Sequence, residues 1–209
     1  DEVAAAVGLS GVAAWMSLTW RAQLQPGERV LVLGGGGAVG QAALGAARVL
    51  GASRVVAVVR GEAAAERARR AGADDVVLLT PDVDELTARM TKALDGSADV
   101  VIDPVFGPAA TAAGRVLAPF GRLVNIGGSM SDTAEFSSSV LRSRTISVLG
   151  YTNNALTPEQ RQEALTAVTT HAAAGSLTVA AEQLPLTEVG EAWRRQATGN
   201  AGVRIVLMP

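Results

Sequence analysis

The sequence predicts an α/β domain built on a doubly wound, six-stranded parallel sheet. Three observations carry that expectation. A short β-rich run, a glycine or polar punctuation and a longer alanine-rich run recur in order along the first 150 residues. The β-rich runs are almost wholly Val, Ile and Leu, as in strands covered on both faces. Four consecutive glycines, Gly34 to Gly37, stand where the first such run meets a helical one. Strand and helix in alternation imply right-handed crossovers and one layered core.

The elements follow in sequence. Arg29 to Leu33 reads as a buried strand and Ala38 to Leu50 as a helix. Ser53 to Val59 is the second strand, followed by a helix over Glu62 to Ala71 that stops at Gly72. Asp75 to Leu79 is a short third strand. Pro81 and Asp82 then open a helix to about Leu94, because proline suits a first helical position. Ala98 to Asp103 is the fourth strand and Pro108 to Leu117 the fourth helix. Gly121 to Gly127 and Thr145 to Gly150 complete the sheet, and the polar stretch Gly127 to Ser139 between them reads as a long loop. Such loops are often functional. Pro158 to Ala174 reads as one long helix ended by Gly175, and the tail as strand, short helix and strand. The resulting division is a domain over residues 1–176 and a tail over residues 177–209.

Composition narrows the function. The 209 residues are 48% hydrophobic and 18% charged, ample for a folded core, with only 3% aromatic, so the interior is made of small, close-packed side chains. A net charge of −2 gives no global attraction to nucleic acid or anionic membrane. The densest basic cluster, Glu66 to Arg70 ("ERARR"), reads as a solvated helix face. Cysteine is absent and His171 is the single histidine, so thiolate zinc sites and disulfides are impossible and no metal site is expected. A reducing cytoplasm is the expected location. The acidic opening "DEVAAAVG" does not resemble a signal peptide, and no apolar run reaches membrane-spanning length. The chain also lacks an initiating methionine, which suggests a fragment.

The glycine stretch has a specific chemistry. Counted from Gly35, it spells Gly35-x-Gly37-x-x-Gly40 between a strand and a helix. The first glycine allows a tight turn, the second lets a diphosphate approach the backbone, and the third lets helix and strand pack closely. The first helical amides, around Ala38 and Val39, then point at the phosphates with the positive end of the helix dipole. In NAD binders an acid near the end of the second strand holds the ribose 2′-hydroxyl. Here Val59 stands in that place, followed by Arg60 and Gly61. With no carboxylate to repel a 2′-phosphate and a guanidinium to pair with it, NADP(H) is favoured over NAD(H). Glu62 nearby leaves NAD(H) open.

A family resemblance emerges from "LSGVAAWMSL", "QPGERVLVLGGGGAVGQAALGAARVLGA", "RRAGADDVVLL", "DVVIDPVFG" and "GRLVNIGG", taken in order and spacing. The chain resembles the medium-chain dehydrogenase/reductase superfamily, in its zinc-independent, quinone oxidoreductase-like branch, from about Ala4 to Pro209. The resemblance implies a Rossmann fold and hydride transfer between NAD(P)H and a quinone, enone, other carbonyl-type acceptor or alcohol. It also implies a homodimer joined through the edge strand Thr145 to Leu149, an edge that would otherwise invite aggregation. It assigns Gly35, Gly37, Ala38, Val39 and Gly40 to the pyrophosphate, Arg60 to the adenosine phosphate, and Val105 with Phe106 to the wall after the fourth strand. Asn125, Ile126 and Gly127, then Gly150 and Tyr151, border the nicotinamide side. The sequence departs from the family where Ala13 replaces a usual threonine, Leu9 a zinc-ligating cysteine and Ala64 a usual lysine. A member of the family carries roughly a hundred further residues ahead of the position of Asp1, forming a catalytic domain on which residues 177–209 pack.

No acid–base residue is assigned. Tyr151 is followed four positions later by Ala155, and the single lysine, Lys92, is distant, which excludes the tyrosine–lysine chemistry of short-chain dehydrogenases. Hydride transfer is the cofactor's chemistry, and the protein's share is orientation and exclusion of water. Three readings therefore stand: the NADPH-binding portion of an oxidoreductase, a non-catalytic dinucleotide-binding and dimerisation module, and a zinc-independent alcohol dehydrogenase-like enzyme using NAD(H).

Overall fold

The computed structural model describes residues 2–199 and 201–209. Strands β1 (Arg29–Leu33), β2 (Arg54–Val59), β3 (Asp75–Leu78), β4 (Ala98–Asp103), β5 (Leu117–Asn125) and β6 (Ser147–Gly150) form one parallel sheet in the order β3-β2-β1-β4-β5-β6. Helices α1 (Glu2–Met16), α2 (Ala38–Val49), α3 (Glu62–Arg70), α4 (Val83–Leu94), α5 (Gly107–Val116), α6 (Ser138–Arg144), α7 (Pro158–Ala173) and α8 (Val189–Ala197) connect or flank it.

The sheet is buried on both faces, as its Val-rich strands require. In β1 the pleat sends Val30 and Val32 into a core shared with α1, α2 and α7, and Leu31 and Leu33 into a second core against α4 and α5. Small residues permit close layers. A Cβ on Gly11 would lie 2.5 Å from Val168 Cγ1, so α1 and α7 touch almost backbone to side chain. Contrary to the sequence expectation, one helix, Val3–Arg21, has mean hydropathy 1.5 and membrane-spanning length, but half of it is buried within this domain, where it forms core. It ends in a wide turn over Ser17–Arg21, which the Thr19 hydroxyl supports by donating to Trp15 O at 2.9 Å.

Three boundaries depart from the sequence expectation. The stretch that reads as a loop ahead of the sixth strand ends in helix α6, capped by Ser137, and this helix closes at Thr145 with φ +54°. Strand pairing therefore resumes only at Ser147. The fifth strand begins at Leu117, where one pair with Ala98 forms before the register shifts, leaving Phe120 at φ +62° and 71% exposed. The tail has the expected strand, short helix and strand, and β7 (Ala181–Pro185) and β8 (Arg204–Met208) pair in parallel as a separate two-stranded sheet.

Candidate dinucleotide-binding cleft

The strand order reverses direction between β1 and β4, and in such sheets the crevice beyond the carboxyl ends at that point holds ligands. A cleft of about 790 Å³ opens there, floored by the glycine turn and α2 and walled by Arg60, Arg67, Val105, Met130 and the tail residue Arg204.

The turn is built by close approach. Gly34, with φ +65°, takes the left-handed conformation, so the tight bend falls one residue earlier than the spacing suggested. A Cβ on Gly35 would lie 2.6 Å from Ala57 Cβ, on Gly36 2.5 Å from Ala64 Cβ, and on Gly40 2.3 Å from Gly34 O. Packing alone demands those three glycines. Gly37 differs, because its φ is an ordinary −82° and a Cβ there would meet only Gly34 O at 3.4 Å. Its bare backbone faces the cleft without being required by the fold.

Gly37 is also the N-cap of α2, and no side chain caps that helix. Asp82, Ser137 and Thr157 cap α4, α6 and α7. The amides of Ala38, Val39 and Gly40 are therefore first-turn donors without intrahelical acceptors, presented to the cleft. Also lining the cleft, Arg204 binds Ser10 Oγ through Nη2, while its buried Nε finds no acceptor among the described residues. A cradle of unpaired amides in a cleft also lined by an arginine with an unsatisfied Nε suits an anion such as a diphosphate.

Of the residues predicted from sequence, Gly37, Ala38, Val39, Gly40, Arg60 and Val105 line this cleft. Gly35 lies just beneath, its amide donating to Val58 O at 3.1 Å. Phe106 turns away to Phe136, 6.3 Å between ring centres, and its backbone takes φ +61°. The strained turn is held by Asp103, which is fully buried and accepts from the amides of Val105 at 2.9 Å and Phe106 at 2.7 Å. Burial pushes the Asp103 carboxyl up, against those two amides and Asn125, which act to lower it. Asn125 spends its side-chain amide on Gly127 O at 2.9 Å and on Asp103. Ile126 and Gly127 follow β5, Gly150 ends β6 and Tyr151 follows it, but none of the four lines the cleft. Tyr151 packs edge-on to Trp20 and donates to Asn153 Oδ1, and burial pushes its phenol up to about 12. It stays protonated at neutral pH.

Sequence reasoning missed four residues. Gln41 is buried, donates to Gly36 O at 3.0 Å and accepts from Ala180 N at 2.9 Å, tying the glycine turn to the tail. Its place four residues beyond the N-cap, directed back along the helix, was the available signal. Arg67 donates from Nε to Gly36 O at 3.1 Å. It therefore leaves the solvated face on which "ERARR" placed it, whereas Arg69 and Arg70 remain there, paired with Glu62 and Glu66. Ser10 and Arg204 meet across 194 positions, for which no local signal exists.

A family model described as zinc-binding dehydrogenase matches residues 38–170. A phenolphthiocerol/phthiocerol polyketide synthase of Mycobacterium tuberculosis is 31% identical over 99% of this chain, which spans 10% of that protein. The CurK enoyl reductase structure superposes with TM-score 0.77 at 25% identity, over 99% of this chain and 62% of its own. A mycobacterial quinone oxidoreductase gives TM-score 0.90 at 24% identity, over 100% and 65%, and shares the fold. Zinc itself does not fit the residues present. Cysteine is absent, His171 stacks on Trp15, and no group of three or more potential ligands gathers among the described residues. Family model, strand order and glycine turn agree: the chain belongs to the zinc-binding dehydrogenase family of the medium-chain dehydrogenase/reductase superfamily, and is a dinucleotide-binding domain of that oxidoreductase type.

Proposed function

We propose that the chain is the NADPH-binding portion of a reductase that delivers hydride to an activated alkene, within a longer protein. The observation that carries this is the cleft itself, where uncapped amides of Ala38, Val39 and Gly40 rise from Gly37 and Arg204, with its unsatisfied Nε, also lines the space. Those groups would hold the diphosphate, Arg60 the adenosine 2′-phosphate, and Val105 the wall after β4, with Phe106 turned away behind it. Asn125, Ile126, Gly127, Gly150 and Tyr151 lie toward the nicotinamide end.

Bound NADPH supplies the hydride; this chain's residues bind the cofactor, orient it and keep water out. The enoyl class of acceptor is favoured over a quinone by the likeness to a polyketide synthase along 99% of this chain, and by the likeness to an enoyl reductase. The substrate-binding part would sit on residues 177–209, where Leu186, Val189 and Trp193 stand 54%, 47% and 75% exposed. A homodimer through Thr145 to Leu149 would cover the β6 edge, on which Val148 is 41% exposed.

The test compares this chain with a longer protein containing it. Fluorescence titration reports NADPH binding by the chain, and loss of 340 nm absorbance reports oxidation by the longer protein with a crotonyl thioester or a benzoquinone. Oxidation driven by the thioester supports the proposal. Oxidation driven only by the quinone moves the acceptor class, and binding without any oxidation favours a non-catalytic module.

A further inference from the structure

We infer that Arg67, on α3, is the principal residue selecting NADPH over NADH, acting together with Arg60; this rests on the dinucleotide reading of the cleft. The geometry begins with Ala64. A Cβ on Gly36 would lie 2.5 Å from Ala64 Cβ, so the first turn of α3 presses directly on the glycine turn. Helical side chains lean toward the N-terminus, and Arg67 lies three residues, nearly one turn, beyond Ala64. Its side chain therefore reaches back toward the glycine turn. Nε donates to Gly36 O at 3.1 Å, which fixes the guanidinium at the wall of the cleft that Arg60, Val59 and Gly37 also line.

The charges on α3 are sorted accordingly. Glu62 is engaged by Arg69 at 2.7 Å, and Glu66 by Arg70 at 3.0 Å. Among the described residues, neither Arg67 nor Arg60 takes part in an ion pair. The acids that could oppose a phosphate are thus held by arginines on the outer face, and two unpaired guanidinium groups are left at the cleft. With Nε occupied by the protein, the two terminal nitrogens of Arg67 remain to form a fork toward a phosphate, the geometry at which arginine exceeds lysine. The ligand group is a phosphate monoester at the adenosine 2′ position, next to the end of β2 where Val59 leaves no carboxylate to bind a free hydroxyl.

The experiment titrates the 209-residue chain, Arg67→Gln and Arg67→Lys with NADPH and NADH by fluorescence, after thermal melts have shown each to be folded. Arg67→Gln is expected to weaken NADPH about tenfold to a hundredfold, as expected when a charged hydrogen-bonding partner is lost, with NADH changed less than about twofold. Arg67→Lys keeps the charge and loses the fork, and is expected to fall between Arg67→Gln and the parent. Equal weakening of both coenzymes by Arg67→Gln would mean that Arg67 only braces the turn through Gly36, and overturns the inference. So does an unchanged NADPH affinity, or a parent chain that binds both coenzymes alike. A parent chain that binds neither coenzyme defeats the reading of the cleft itself, and the inference with it.

Discussion

Gly37→Ala separates folding from binding. The added methyl meets only Gly34 O, at 3.4 Å, and φ −82° is open to alanine, so no steric strain follows. Alanine is a poorer N-cap than glycine by roughly 0.5 kcal/mol. It also reduces the freedom of the unfolded chain, worth about 0.4–1 kcal/mol in the opposite sense. The two nearly cancel, and Tm should move by no more than about 2 °C. In the cleft the methyl stands where a diphosphate would approach the amides of Ala38 and Val39. Loss of even one charge-assisted hydrogen bond costs about 1.5–3 kcal/mol, roughly tenfold to a hundredfold in Kd. Gly40→Ala is the contrasting case. Its methyl would sit 2.3 Å from Gly34 O and 2.7 Å from Gly35 Cα, both backbone, so helix and turn must separate. Overpacking of that kind costs about 1–3 kcal/mol, a Tm loss of about 2–12 °C in a chain of this length. Differential scanning fluorimetry and NADPH titration of both variants decide the matter. Undiminished NADPH binding by Gly37→Ala would refute the argument that this glycine is kept for a ligand.

Asp103→Ala strands two part-buried amides, those of Val105 and Phe106, and should cost about 1–3 kcal/mol in chemical denaturation, with Asp103→Asn milder because one oxygen still accepts. Val148→Lys places a charge on the exposed edge of β6 and should convert a dimer to a monomer in sedimentation, while circular dichroism stays that of the folded parent. Stability against acid follows two carboxylates. Burial raises the Glu28 carboxyl, but hydrogen bonds from Arg122 and Gln25 with the Arg122 charge outweigh it and hold it below the ordinary value of 4.5. Asp74 is likewise held below 3.8 as the Val55 amide and Arg48 outweigh its burial. A depressed folded pKa means stability present above the unfolded pKa and lost as pH falls through the folded one, so urea midpoints should decline from about pH 4.5 downward. Glu28→Gln should shrink the decline, and an unchanged slope would contradict it. Asp103, raised by burial, acts in the opposite sense and favours the fold as it protonates.

Much of the molecule is readable from local pattern. Runs such as Arg29 to Leu33 admit no exposed face, so they must be central strands, and a glycine cluster between strand and helix has few other uses. The less legible parts depend on contacts distant in sequence. Thr145 reads as the start of the sixth strand because β-branched residues favour strands, yet it ends α6 in a left-handed conformation that a local pattern does not announce. "ERARR" reads as uniformly solvated because its helix face cannot show that Gly36 O lies within reach of one arginine and not of the others.

By itself, the sequence determined most of the strands and helices of the sheet layer, the glycine turn that joins the first pair, and the family they compose. Hydrophobic period and glycine's lack of a Cβ act within a few residues and are written in consecutive letters. Tertiary structure alone decided the strand order, the closure of the cleft by Gln41 and Arg204, and which of two glycines, packed Gly40 or open Gly37, is free of the fold's own demands and opens onto the cleft. Those outcomes depend on distances between groups up to 194 positions apart, and such distances exist only once the chain has packed.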